Sequence, residues 1–109
     1  MVNIDTFKQT EIRIGKILTA EKIEGLDKIL KLSVDFGEET PRQILSGIAM
    51  TYTEPQVLVG KLCPFVTNLE TRTIKGLDSQ GMILALHGEG GEIVLLHPNS
   101  DVAPGSLVG

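Results

Sequence analysis

The sequence predicts an all-β fold, a five-stranded Greek-key barrel of the OB type with short helices and a C-terminal hairpin extension. Three observations carry that expectation. Apolar and polar residues alternate in several short runs, which is the period of half-buried strands. One short helical segment falls between the third and fourth of these runs. A glycine stands where the apolar phase of the first run slips, as a bend in a curling sheet requires.

The elements follow in order. Asn3 to Phe7 reads as one helical turn, with Asn3, Asp5 or Thr6 as its cap and Thr6 with Gln9 at capping-box spacing. Ile12 and Ile14 alternate with Glu11 and Arg13, and after Gly15 the phase moves to Ile17, giving a first strand bent by a bulge. Leu30, Leu32 and Val34 alternate with Lys31 and Ser33 in a second strand that turns Lys31 outward, and the turn formers from Phe36 to Pro41 close it. Arg42 to Ile48 is a third strand. Thr53-Glu54-Pro55-Gln56 again has capping-box spacing and starts a short helix through Val57 and Leu58. Leu62 to Val66 is a fourth strand, at an edge or bulge because Pro64 has no N–H to donate. Residues 68–81 are polar and predict a long irregular connection. Met82 to Leu86 is the fifth strand, and Gly88-Glu89-Gly90-Gly91 turns the chain back as Glu92 to Leu96. Turns from His97 to Asp101 and at Pro104-Gly105 complete the chain.

With 109 residues, 41% apolar and 22% charged, the chain predicts one domain over 1–109, since two would each lack a core. The longest apolar run, Met82 to Leu86, is far short of the roughly 20 residues that cross a bilayer, so no membrane partner is expected. Asp5, Lys8, Glu11, Arg13 and Lys16 interrupt the first twenty residues, which fits no secretory core and predicts a cytoplasmic protein. The net charge of −4 excludes capture of nucleic acid by bulk positive charge. All ten Lys and Arg residues nevertheless precede residue 83. A polyanion would therefore meet the first three quarters of the chain, leaving the acidic, apolar tail for packing or a protein partner.

Catalytic and metal chemistry find little support. Cys63, the only cysteine, lies in an apolar strand, where it reads as a small hydrophobe; a thiol nucleophile would need it paired with His87 or His97. The two histidines would need a further ligand, such as Glu89 or Glu92, to hold a metal, and they read as turn residues. Gly88 to Gly91 opens no helix and carries only negative charge, so it is a hairpin turn and not a phosphate loop. Ser46-Gly47 lacks the flanking glycines of a nucleophile elbow. Neither a catalytic residue, a cofactor nor a metal is expected. The stretch from Asn68 to Met82 is the informative one, because it mixes Asn, Thr, Ser and Gln donors with Arg72 and Lys75, the groups that meet phosphates and 2′-hydroxyls. On a barrel of the OB type, Lys31, Arg42 and Lys61 would have to share its face. With three Phe, one Tyr and no Trp, serial base stacking is poorly supplied, and a folded RNA read by shape and backbone fits better.

The residues also resemble a known family over essentially the whole chain. The segments are Phe7-Lys8, Glu11-Ile12-Arg13-Ile14-Gly15-Lys16-Ile17, Ala20-Glu21, residues 27–35, residues 42–49, Leu58-Val59-Gly60-Lys61, Asn68-Leu69 and Ser79-Gln80-Gly81-Met82. In this order they look like the tRNA-binding domain, found as a C-terminal appendage of methionyl-tRNA synthetase, as its free-standing beta subunit or a separate tRNA-binding protein, and in a synthetase-associated cytokine. The resemblance implies an OB fold, a homodimer and structure-specific binding near the outer corner, or elbow, of tRNA. It assigns RNA-facing positions to Lys31, Arg42, Ser46, Asn68, Ser79, Gln80 and Met82, with Arg72 and Lys75 in the basic stretch between. Glu70 and Thr71 stand where many members carry proline or another base. Residues 88–109 resemble the dimerisation extension, which implies an interface of Ile4, Phe7, Ile93, Leu95, Val102 and Pro104. A secretion-associated chaperone is a cousin of the family, so a chaperone-like protein-interaction module is the alternative function.

Overall fold

A computed structural model describes residues 1–109. Helix α1 spans Ile4–Phe7, and the strands are β1 (Ile12–Ile23), β2 (Leu26–Asp35), β3 (Arg42–Ser46), β4 (Leu62–Val66), β5 (Arg72–Ile74), β6 (Leu77–Ser79), β7 (Met82–Ile83), β8 (Ala85–His87), β9 (Ile93–Leu95) and β10 (Leu107–Val108). A 3-10 turn, Pro55–Leu58, precedes β4. The all-β architecture is as expected. The main sheet runs β3-β2-β1-β4-β7 with antiparallel neighbours, and β10 adds to the start of β1. Its ladders leave an open path between β3 and β7 where the sequence predicts a closed barrel.

Why β1 bends differs from the expectation. Its register shifts between Ile17 and Thr19 and again between Lys22 and Ile23, past Gly15. Gly15 is instead a point of close approach: a Cβ there would lie 2.5 Å from Val34 Cγ1 and 2.6 Å from the Phe36 ring. Ile17 packs in the central cluster, whereas Ile14 is buried outside it, where the tail bonds to β1: Ile14 N–H donates to Ser106 and Gly105 N–H to Ile14. The apolar phase slips because the strand is covered on both faces in turn.

The central cluster joins Ile17, Ala20, Leu30, Leu32, Val34, Ile44, Cys63 and Phe65 with residues of the loops, of the 3-10 turn, of β7 and of β9. Phe36 and Phe65 meet edge to face, centroids 5.3 Å apart. The fourth strand spans the predicted residues, with Pro64 opposite Ile14 in an inner strand. Its pairing with β7 covers only Phe65 and Val66, so the missing N–H lies beyond the end of that ladder.

Of the three caps the sequence allows for α1, Asn3 is the one used, its Oδ1 accepting from Thr6 N–H at 2.8 Å. Several other expectations need correction. Glu54 precedes the 3-10 turn and Thr53 supplies no capping bond. The third strand ends at Ser46, and the predicted fifth strand is cut at Leu84, whose N–H turns to the Pro64 carbonyl. Residues 68–81 are not irregular throughout, because β5 and β6 form a hairpin. Its turn is Lys75-Gly76, with φ of 51° and 81°, the pair of positive values that matches the twist of a two-residue hairpin. The last strand, β10, was not signalled by the predicted turns of the tail.

Candidate nucleic-acid interface

The β5–β6 hairpin carries the exposed Arg72 near its base and Lys75 at its tip. Neither side chain forms an ion pair. Thr73 Oγ1 donates to Asp78 Oδ1 at 2.7 Å, tying the two strands. Lys31 projects from the outer face of β2 opposite Leu45, with only a loose 3.6 Å contact to Glu21 across the ladder. Leu45 N–H in turn donates to Ser79 Oγ at 2.9 Å, and Ser79 is the strand partner of Arg72. Lys31, Leu45, Ser79 and Arg72 are thus successive neighbours across four strands, β2, β3, β6 and β5.

The other expected residues behave differently. Arg42 has every nitrogen engaged: Nε and Nη2 donate to the two Glu38 carboxylate oxygens at 2.9 Å, and Nη1 donates to the carbonyls of Thr67 at 2.6 Å and Gln80 at 3.2 Å. Its guanidinium also lies 5.4 Å from the centroid of the Phe36 ring. The Arg42 hydrogen bonds hold the Glu38 carboxyl below the usual carboxylate range, and Glu38 raises the guanidinium in return. Ser79 is buried, and its Oγ accepts from Leu45 N–H and donates to the Gly81 carbonyl. Gln80 is exposed, but its Oε1 accepts from Gln43 N–H at 3.0 Å. Asn68 accepts from Glu11 N–H and donates to the Gln9 carbonyl, fixing the entry to β1. Ser46 is buried, yet with the exposed Met82 it borders a cleft of about 330 Å³ that His87 and Ile93 also line. Lys61 stands elsewhere, beside His97, Pro98 and Asp101 of the tail.

The structure therefore sets Lys31 and Arg72 at the two ends of the row β2, β3, β6, β5, with Lys75 at the hairpin tip, and places Lys61 apart beside the tail. Sequence reasoning missed Glu38, Gln43 and Thr67, which hold the expected residues in position. The four-residue spacing of Glu38 and Arg42 was a legible signal for one of them.

Ile4, Phe7 and Val102 are exposed, Pro104 is partly covered, Ile93 packs against the core and Leu95 belongs to it. A groove of about 500 Å³ runs between α1 and β10, lined by Ile4, Phe7, Leu107 and Val108, of which the last two were not foreseen.

Cys63 is buried, and burial pushes its thiol up to about 11. His97 Nδ1 lies 2.7 Å from the Leu62 carbonyl, which can only accept, so that nitrogen carries a proton and donates. At 3.5 Å from Cys63 Sγ it has no free lone pair with which to take the thiol proton. The pair is not an activated nucleophile.

A small all-β module with a basic hairpin held to a sheet edge is thus the class that fold and site define. Residues 12–107 match the tRNA binding domain family, and the chain belongs to it. The methionine–tRNA ligase of Methanocella arvoryzae is 43% identical over 107 residues, covering 98% of this chain and 15% of that protein. That of Xanthomonas axonopodis pv. citri is 42% identical over the same share. The chain spans about 15% of the length of these curated relatives. Among solved structures, a MetRS related protein from Pyrococcus horikoshii superposes with a TM-score of 0.92 at 36% identity, covering 100% of this chain and 98% of that one. The chaperone CsaA from Bacillus anthracis superposes with a TM-score of 0.89 at 29% identity, covering 100% and 99%. No helix is long and apolar enough to cross a membrane.

Proposed function

We propose that the chain binds folded tRNA and catalyses no reaction. Family membership over residues 12–107 carries this reading. The unpaired Arg72 and Lys75 on the hairpin, with Lys31 on β2 beyond the intervening β3, give it a surface. Contact is with the phosphate backbone and overall shape near the elbow, since a chain with one Tyr and three Phe has few platforms for stacked bases. The fold is an OB-type barrel whose final seam is made by side chains. Two copies associate through the α1–β10 groove and the 88–109 tail, presenting two hairpins to one large RNA and multiplying avidity. Similarity to part of the methionine–tRNA ligases supports a cytoplasmic role beside a methionyl-tRNA synthetase, as an accessory beta subunit or as a general tRNA-binding protein.

The likeness to the chaperone CsaA supports a second reading, a chaperone-like protein-interaction module. Titration of the purified protein with total tRNA and with duplex RNA, at two salt concentrations, separates the two. Binding of tRNA is expected, and changing Arg72 and Lys75 together to alanine should weaken it and lower its logarithmic salt slope by about 1–2. Unchanged binding removes the hairpin as the site. Retention of unfolded protein clients without tRNA makes the second reading the correct one.

A further inference from the structure

The seam between β3 and the segment 78–81 is built unlike the rest of the sheet. Strand β3 pairs with β2 on one side, and alternation along an antiparallel strand turns the N–H groups of Gln43 and Leu45 to the other. No strand meets them. Gln80 Oε1 accepts from Gln43 N–H and Ser79 Oγ from Leu45 N–H, so two side chains stand in for a missing ladder. One main-chain bond completes it, from Gln80 N–H to the Gln43 carbonyl at 2.8 Å, and Gln43 Nε2 reaches the Asp78 carbonyl at 2.9 Å. At the end of the seam Arg42 ties the Gln80 carbonyl to that of Thr67, so it grips both ends of the segment that carries the hairpin. Glu38 holds the guanidinium fork flat for this task, with two parallel bonds of 2.9 Å.

We infer that Arg42, Glu38, Ser79 and Gln80 form a clamp that fixes the basic hairpin against the edge of β3, acting on RNA binding as positioning residues and making no contact with RNA themselves. The inference rests on the tRNA-binding reading above. Arg72 and Lys75 protrude on a hairpin of two three-residue strands, and such a hairpin is marginal in water without an anchor. Its cations are useful to a rigid, folded partner only if they are held in one place, so ordering the hairpin beforehand lowers the cost of binding.

The sign of one substitution distinguishes clamp from contact. Removing a carboxylate near an RNA surface ordinarily tightens binding. Glu38→Ala should instead weaken tRNA binding, by about fivefold, because the loosened hairpin must be ordered on association. Arg42→Ala should weaken it without changing the salt slope, whereas loss of a direct phosphate contact lowers that slope by about 1. Arg42→Lys keeps the charge and loses the fork, so it should fail to restore affinity. Without RNA, hydrogen exchange in Glu38→Ala should quicken at the Leu45 and Gln80 amides and across residues 72–79, while β1 and β4 stay protected. Glu38 lies on the surface, so this variant serves if Arg42→Ala fails to fold. Tighter binding by Glu38→Ala, rescue by Arg42→Lys, a lower slope for Arg42→Ala or unchanged exchange along the hairpin overturns the clamp. The Arg72/Lys75 double variant tests the RNA reading separately, and the exchange measurement stands whether or not RNA binds.

Discussion

Cys63 shows how far a residue's surroundings can override its chemistry. It is the one thiol in the chain, yet it sits within the apolar cluster opposite Gly15, beside an imidazole whose near nitrogen is already donating to a carbonyl. With its pKa near 11, raised by burial from an ordinary 9.0, about a hundredfold less thiolate is present at pH 8 than in the unfolded chain. Alkylation by iodoacetamide at that pH should therefore be at least about a hundred times slower in the native protein than in denaturant. Labelling of the native protein at the unfolded rate would show an accessible, reactive thiol and reopen catalysis. The apolar strand around Cys63 was legible in the sequence, and so was its inert character. The roles of Ser79 and Gln80 were not: their partners Leu45 and Gln43 lie 34 and 37 residues away, and nothing in a polar segment says which backbone edge it will meet.

At the scale of elements, periodicity succeeded where a strand was long enough to show it. The fourth strand spans the predicted Leu62–Val66, and the second contains its alternating core of Leu30, Leu32 and Val34. It failed for β5, β6 and β10, whose two or three residues cannot display a period, and Lys75-Gly76 lacks the Asn-Gly signature of a hairpin turn. In β1 the glycine was noticed for the wrong reason. What it provides is room where the strand passes against Val34 and Phe36. Gly15→Ala should accordingly destabilise the fold by about 1–3 kcal/mol, as overpacking of a filled core does, through displacement of a β-branched side chain and a ring with no space to yield. Chemical denaturation of the two proteins measures this; a midpoint unchanged at constant slope would show that the contact relaxes freely.

For the whole molecule, the question is what ties the tail to the rest. Arg13 answers it, donating through Nε to Glu11 Oε1 at 2.9 Å and through Nη1 to the Gly105 carbonyl at 2.8 Å, while Thr67 Oγ1 donates to the same Glu11 oxygen. These bonds lower the Glu11 carboxyl, with that to Arg13 the larger cause. A depressed folded pKa gives stability that is present above the unfolded value, about 4.3, and disappears as pH falls through the folded one. The melting temperature should thus hold between pH 7 and 5 as far as this group is concerned and fall below about 4.3. Glu11→Gln should melt lower at neutral pH and lose less on acidification; parallel curves for the two proteins would mean that Glu11 takes no part in the acid transition. The charge distribution along the chain foretold a division between a basic-bearing body and an acidic tail, but not that the tail would rejoin the main sheet as β10.

That return has a topographic consequence. Ile4 and Gly109, distant in sequence, border one groove. If two copies mate through this groove, as proposed, the last residue of each lies at their seam.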